Sequence, residues 1–163
     1  MTTDLISLDT AIVVTGLSKR TLWRRISDGA LRKAEDGSAS AGAGGGRTLL
    51  DARDVLPLMR APLSAAETAL LIEADAGDAD AQAELGAVFH RIGEMKTAVY
   101  WWQLAAAQGH ADAMQWLGRC YAAGEGVEQD ENLALMWISK AAAAGHAIAA
   151  AQMAGLLRGA AGK

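Results

Sequence analysis

The chain has 163 residues, enough for one ordinary domain or two small ones but too few for a long multi-domain enzyme. Hydrophobic residues make up 52% of it and aromatic residues only 5%, a composition that suits closely packed helices with many small side chains. The formal net charge is −4, with an excess of basic residues over 1–60 and of acidic residues over 61–163.

Cysteine content and hydropathy narrow the class of protein further. Cys120 is the single cysteine, which excludes an internal disulfide and a four-cysteine zinc site. No basic segment followed by an apolar stretch opens the chain, so no signal peptide is predicted. The longest uncharged run, residues 141–157, is mostly alanine with polar interruptions and predicts no membrane span. We therefore expect a cytoplasmic protein with no membrane partner.

Two short helices are predicted near the start, over residues 7–15 and 19–28. Ser7 and Ser18 can each cap the first turn of one helix, and a glycine follows each helix, where a left-handed residue is favoured. Two helices joined by a short glycine-containing turn are typical of a helix-turn-helix motif.

The second of these helices carries a cationic surface. Leu22 and Ile26 are four residues apart and share the face that packs on the first helix. Polar and cationic side chains then lie outward or along the flanks, namely Lys19, Arg20, Thr21, Trp23, Arg24 and Arg25.

A hairpin and a last helix complete the first sixty residues. Residues 31–35 and 47–50 are predicted as short strands, joined by a glycine-rich connection over 36–46. A helix from Asp51 to Met59 follows. The alanine content rises after this point, between Pro57 and Pro62, so we expect two domains, over 1–60 and 61–163.

The runs GLSKRTLWRRISDGAL and RTLLDARDVLPLM resemble the excisionase and MerR-like winged-helix family. The resemblance implies that the second helix enters the major groove of double-stranded DNA and that the hairpin, or wing, touches the neighbouring backbone or minor groove. Packing of Trp23 against the wing is an equally good alternative to contact with DNA. The residues implied to meet DNA are Ser18, Lys19, Arg20, Thr21, Trp23, Arg24 and Arg25 on the helix, with Arg32, Lys33 and Arg47 on the wing.

The remaining residues repeat. Trp101, Gly109 and His110 recur as Trp137, Gly145 and His146, a period of about 36 residues, which is typical of stacked helical hairpins. Six helices in three antiparallel pairs are predicted, over 64–76, 79–92, 94–108, 111–123, 131–144 and 147–158.

The segment LGRCYAAGEGVEQDENLALMWISKAAAAGH resembles the Sel-one-like repeat family, relatives of tetratricopeptide repeats. The family loop pattern G-x-G-V-x-x-D stands here as Gly124, Gly126, Val127 and Asp130. The resemblance implies a scaffold that binds a protein partner in a concave groove. Trp101 and Trp137 are predicted core residues because they recur at one repeat position, whereas Tyr100 or Trp102 is a candidate partner contact.

No constellation of catalytic residues is found, and no cofactor or metal is expected. His110 and His146 sit at helix starts, where a capping or packing role is the simpler interpretation. Cys120 is predicted to be a small core residue. The acidic loop over 125–131 lacks the ligand spacing of an EF-hand.

Taken together, these patterns predict a mainly α fold, with a small winged helix-turn-helix domain followed by an α-solenoid. One hypothesis is a bacterial DNA-binding transcriptional regulator whose repeats bind a protein, with a homodimer as one way to gain specificity. The alternative is a protein-interaction adaptor in which the winged helix no longer binds DNA.

Overall fold

The computed structural model describes residues 4–34 and 47–161, and these are mainly α-helical with one small antiparallel sheet. The expected fold class is confirmed. The chain divides into two compact units, the first reaching Asp75 and the second starting at Ala76. This division lies later than the predicted boundary near residue 60, because the helix that ends the first unit is bonded to its core.

The helix starts of the first unit follow the predicted caps. The side-chain oxygens of Ser7 and Ser18 accept hydrogen bonds from the backbone N–H groups of Thr10 and Thr21, both at 3.1 Å. The elements of this unit are β1 (Leu5–Ser7), α1 (Leu8–Thr15), α2 (Lys19–Ser27), β2 (Leu49–Asp51), α3 (Ala52–Val55), a 3₁₀ turn (Leu56–Leu58) and α4 (Ala65–Ala76).

The sheet contains a strand that was not predicted, in addition to the pairing expected for the hairpin. β2 pairs antiparallel with β1, which places Leu5 opposite Asp51 and Ser7 opposite Leu49. On its other side β2 pairs with the described part of the predicted first strand, through an antiparallel bridge from Lys33 to Leu50. The backbone N–H groups of Ala34 and Asp51 donate to the carbonyl oxygens of Leu49 and Arg32 at 3.0 and 3.2 Å, so the predicted pairing of these two segments is confirmed. The predicted connection over 36–46 lies outside the described residues. β1 was not predicted because it has only three residues and runs directly into the Ser7 cap.

The helix predicted from Asp51 to Met59 is shorter than expected. Asp51 caps it as predicted, accepting from the N–H of Arg53 at 3.0 Å. The α-helix ends at Val55 and the chain continues as a 3₁₀ turn containing Pro57. Proline lacks the N–H that the next α-helical hydrogen bond needs, which explains the change.

A buried carboxylate at Asp75 joins α4 to the start of the chain. It accepts the backbone N–H of Ser7 at 3.0 Å, the Ser7 hydroxyl at 2.6 Å and the Thr10 hydroxyl. Arg47 Nη2 donates to the same carboxylate at 2.9 Å. The Asp75 side chain is only 5% exposed, so these donors replace the water that a carboxylate otherwise requires. The first unit therefore extends to Asp75.

The second unit consists of helices whose bounds match the predicted ones closely. Among the described residues, α5 packs with α6 and α7 packs with α8, while α9 packs on α8. The helices therefore do not pair as predicted, with α4 and α5 as the first pair. The pairing starts one helix later, because α4 belongs with the first unit as far as Asp75. The helices are α5 (Ala79–Arg91), α6 (Met95–Ala107), α7 (Ala111–Ala123), α8 (Glu131–Ala143) and α9 (Ala147–Ala161).

Glycine allows the two helices of each pair to approach closely. A Cβ atom on Gly86 would lie 2.4 Å from Trp102 Nε1, and one on Gly118 would lie 2.6 Å from Ile138 Cγ1. Both distances are too short for any side chain, so these two equivalent positions hold glycine for packing, since neither has a positive φ.

The loop between α7 and α8 explains its sequence pattern. Gly124 and Gly126 both have a φ of 72°, in the left-handed region that favours glycine. A Cβ on Gly126 would also lie 2.6 Å from the carbonyl oxygen of Met95. Asp130 ends the loop as the cap of α8, accepting from the N–H of Leu133 at 2.9 Å.

Replacing Gly86 by alanine should destabilise the second unit by about 1–3 kcal/mol, because the new methyl group would overlap the buried indole of Trp102. Urea unfolding followed by far-ultraviolet circular dichroism measures the change. Gly155→Ala is the matched control: Gly155 lies in α9 with open space at its Cβ, so that variant should gain about 0.5–1 kcal/mol. Equal effects of the two substitutions would contradict the packing argument.

Replacing Asp75 by alanine should destabilise the first unit by about 1–3 kcal/mol, because the buried N–H of Ser7 loses its acceptor. Arg47→Ala should cost less, about 0–1 kcal/mol, since the Arg47 side chain is largely exposed. Amide hydrogen exchange of α1 measures both effects. A larger loss for Arg47→Ala than for Asp75→Ala would show that the contact between α4 and Ser7 is stabilised by the ion pair and not by the hydrogen bonds from Ser7 to Asp75.

Candidate interaction surfaces

The first candidate surface is the outward face of α2. Lys19, Arg20 and Arg24 are exposed, and none of them has an ion pair among the described residues. Leu22 is fully buried, as predicted for the inward face, and Trp23 is 39% exposed. Arg25 is half-buried, and its Nε has no hydrogen-bond partner within residues 4–34 and 47–161. The predicted cationic surface is therefore present on this helix.

Two of the arginines expected on the wing have carboxylate partners instead. Arg32 donates from Nε and Nη2 to the two carboxylate oxygens of Asp54, both at 2.9 Å, and also lies 3.2 Å from Asp51. Arg47 is held by Asp75. Their guanidinium groups are not free cations, because acidic residues distant in sequence pair with them. Lys33 is exposed and has no ion pair in the described part of the chain.

The aromatic cluster of α6 is arranged differently from the expectation. Trp102 is 0% exposed, and its Nε1 donates to the carbonyl oxygen of Ala83 at 3.1 Å. As a fully buried residue it cannot serve as a surface contact, and the missing side chain at Gly86 makes room for it. Trp101 is also fully buried, which confirms its predicted core role, whereas Trp137 is partly exposed beneath Lys140. Tyr100 is half-buried, and its contact role stays a prediction.

Trp116 on α7 is the half-buried end of this aromatic cluster. Its ring stacks on Trp102 with centroids 5.0 Å apart and planes 6° apart, and the guanidinium carbon of Arg119 lies 4.5 Å from its centroid. The sequence prediction did not single out Trp116. The signal was present, because Asp112, Gln115, Trp116 and Arg119 follow the spacing that places residues on one helix face.

The second candidate surface is a groove between α7 and α9, with a volume of about 380 Å³. α7 presents the same stripe to it, and α9 presents Ile148 and Gln152, which are one helical turn apart. The groove therefore combines an aromatic ring, a cation, two amides and an exposed aliphatic side chain. Its lining residues are Asp112, Gln115, Trp116, Arg119, His146, Ile148 and Gln152.

The two repeat histidines cap helices, as predicted. His110 Nδ1 accepts from the N–H of Ala113 at 3.3 Å, and His146 Nδ1 accepts from the N–H of Ala149 at 3.1 Å. The other ring nitrogen of each histidine faces a carboxylate. His110 Nε2 lies 3.3 Å from Asp80 in α5, and His146 Nε2 lies 3.4 Å from Asp112 in α7. Since Nδ1 accepts in both, the ring proton is on Nε2.

Two further kinds of site considered for this sequence are a reactive cysteine and a metal site. Cys120 is buried, as predicted, and burial raises the pKa of its thiol to about 11, so the nucleophilic thiolate is scarce at neutral pH. Within the described residues, no three His, Cys, Asp or Glu side chains are grouped to hold a metal ion.

Helix length and hydropathy bear on whether the chain crosses a membrane. Over residues 4–34 and 47–161, no single helix is both long and apolar enough to cross a bilayer. The pair Glu131–Ala143 and Ala147–Gly159 meets the length and composition together, with a bend of 120° between the two helices.

Part of the second unit matches a known family of repeats. Residues 79–110 and 111–146 each match the Sel1 repeat. These residues are therefore two Sel1 repeats, the first formed by α5 and α6 and the second by α7 and α8. The Sel-one-like resemblance is confirmed for this part of the chain. The matched residues lie outside the first sixty, so the winged-helix resemblance stays a prediction.

Two solved structures are similar to this chain. One is an SLR-fold protective antigen present in uropathogenic Escherichia coli strains, 32% identical over 53% of this chain and 20% of that one, with a TM-score of 0.49. The other is a Sel1 repeat protein from Oxalobacter formigenes, 34% identical over 52% of this chain and 35% of that one, with a TM-score of 0.49. The matched part of this chain thus spans only a minority of either protein. No curated protein matches the chain.

Acid should weaken the first unit through Asp54. Hydrogen bonding from Arg32 lowers the pKa of Asp54 below its usual 3.8, with burial opposing the shift. Because the folded pKa is the lower one, the stabilisation is complete above the unfolded value and is lost as the pH falls through the folded pKa. The difference in stability between the native protein and Asp54→Asn should therefore shrink below pH 3.8.

Urea unfolding at neutral pH and at about pH 3 measures this difference. Asp9→Asn is the control, because Asp9 is exposed and has no ion pair in the described part of the chain. A gap between native protein and Asp54→Asn that stays constant with pH would contradict the role of the Arg32 pair.

Proposed function

We propose that this protein is an adaptor that binds a partner protein through its Sel1 repeats. The observation that carries the proposal is the groove between α7 and α9, in which Trp116, Arg119 and Ile148 are available at the surface of the repeat unit. Trp116 is half-buried, and Arg119 and Ile148 are exposed. An aromatic ring and an arginine at the surface beside an apolar residue are typical anchors of protein interfaces. The two Sel1 repeats support an interaction role, and the buried thiol of Cys120 gives no support to an enzymatic one.

Photo-crosslinking in the host cell tests the adaptor function. With p-benzoylphenylalanine in place of Ile148, which is 64% exposed on α9, irradiation should produce a discrete adduct with one partner protein. The same amino acid in place of Leu135, which is exposed on α8 outside the groove, is the matched control and should not give that adduct. Adducts at neither position, or identical adducts at both, would count against the proposal.

DNA binding by α2 is the second candidate function. It is favoured by the contrast between Lys19, Arg20 and Arg24, which lack carboxylate partners in the described residues, and Arg32, Arg47 and Arg53, which have them. Cations left free on a capped helix can neutralise phosphates and release counterions. This candidate function also includes contacts with DNA from the other residues implied by the winged-helix resemblance, namely Ser18, Thr21, Trp23, Arg25 and Lys33. A single small head of this kind gains specificity by homodimerisation or by adjacent sites.

Fluorescence anisotropy with a mixed-sequence duplex tests DNA binding. The full chain should bind at about 50 mM salt and weaken steeply towards about 200 mM. Arg20→Ala with Arg24→Ala should reduce the salt slope by roughly 2, one for each lost phosphate contact. Lys140→Ala with Arg158→Ala removes the same charge from the second unit and should leave the slope unchanged. Absence of binding at low salt would reject DNA binding and leave the adaptor function as the remaining candidate.

A further inference from the structure

The groove between α7 and α9 contains a buried amide that lacks a donor. Gln115 is only 7% exposed, and its Nε2 donates to Gln152 Oε1 at 3.0 Å. Its own Oε1 is buried and has no hydrogen-bond partner among the described residues. Leaving a buried acceptor without a donor is unfavourable, so a ligand that brings an N–H group to this point gains the bond that the free protein lacks.

The two glutamines together match the hydrogen-bonding groups of a polypeptide backbone. Gln115 offers a free oxygen, and the exposed amide of Gln152 keeps Nε2 to donate, because its oxygen is already bonded to Gln115. One acceptor beside one donor is what an edge strand presents to a partner strand. An extended peptide can satisfy both groups with one N–H and one C=O.

Charge selects the kind of peptide. Arg119 lies over the Trp116 ring, and no carboxylate pairs with it within residues 4–34 and 47–161. The carboxylate that lines the groove, Asp112, lies at the other end of the α7 stripe against His146. Arginine pairs strongly with carboxylates, and stacking on a ring holds its guanidinium in place for such a pair.

The spacing along α7 is consistent with one peptide using both features. Gln115 and Arg119 are four residues apart, about 6 Å along the helix axis. Two residues of an extended chain cover about 6.6 Å, and their side chains point to the same side. An acidic side chain about two residues from the bonded peptide unit would therefore reach Arg119, while Ile148 offers an aliphatic contact on the α9 wall.

We propose that the groove between α7 and α9 binds an extended acidic peptide segment of the partner protein. Gln115 and Gln152 bond one peptide unit of its backbone, and Arg119 pairs with an Asp or Glu side chain. This inference rests on the adaptor function and specifies the chemistry of the partner.

Selection from random peptides with acetylated and amidated ends, about ten residues long and so able to cross the groove at about 3.3 Å per residue, tests the proposal on the full chain. Selected peptides should contain Asp or Glu. Arg119→Gln should weaken their binding about tenfold. Lys140→Gln, which removes a cation stacked on Trp137 outside the groove, should leave binding unchanged. Arg119→Glu should instead bind peptides in which the acid is replaced by lysine.

Backbone recognition has its own readout. Methylation of one peptide nitrogen should weaken binding to the native protein about tenfold but have little effect on Gln115→Met, which keeps the side-chain length and removes the acceptor. Circular dichroism checks that each variant is folded. Failure to select any peptide, selection of peptides without acids, or equal losses for Arg119→Gln and Lys140→Gln would overturn the inference. A folded partner crosslinked at Ile148 without any peptide binding would overturn it while leaving the adaptor function intact.

Discussion

The close approach of paired helices at Gly86 and Gly118 is the constraint on which the repeat unit depends. With no side chain at Gly86, the indole of Trp102 lies against the backbone of α5, fully buried, and donates to Ala83. Trp116 stacks on the same indole. The ring that forms one wall of the groove is thus positioned by a buried tryptophan, which itself requires a glycine in the neighbouring helix. The surface chemistry follows from the packing beneath it.

Local signals predicted what is local. The serines and the aspartate that cap helices, and the glycines that follow them, placed most helix ends within a residue or two, because each signal acts over one turn. The same reasoning missed β1 and extended the last helix of the first unit past Pro57. β1 is stabilised by pairing with a strand far away in sequence, a contact that has no trace in its own three residues.

The candidate sites were harder to predict because they depend on long-range partners. In the sequence, Arg32 and Arg47 cannot be told apart from Arg20 and Arg24 as candidate DNA contacts. In the structure, Asp54 pairs with Arg32 and Asp75 pairs with Arg47. Trp102 was a candidate contact because three aromatic residues in succession look excessive for an alanine-rich helix. The glycine that accommodates it, and the stripe on α7 that contains Trp116, could both have been found by comparing equivalent repeat positions.

The carboxylate of Asp75 changes how this chain can be divided. Its position near the end of α4 means that the small first unit includes a helix that, by composition, resembles the alanine-rich array. Gene rearrangements that join such a unit to a different array would therefore need to carry α4 along, cutting after Ala76, where Gly77 and the Asp78 cap separate it from α5. The boundary suited to such an exchange therefore lies between α4 and α5, and not between Pro57 and Pro62, where the alanine content changes.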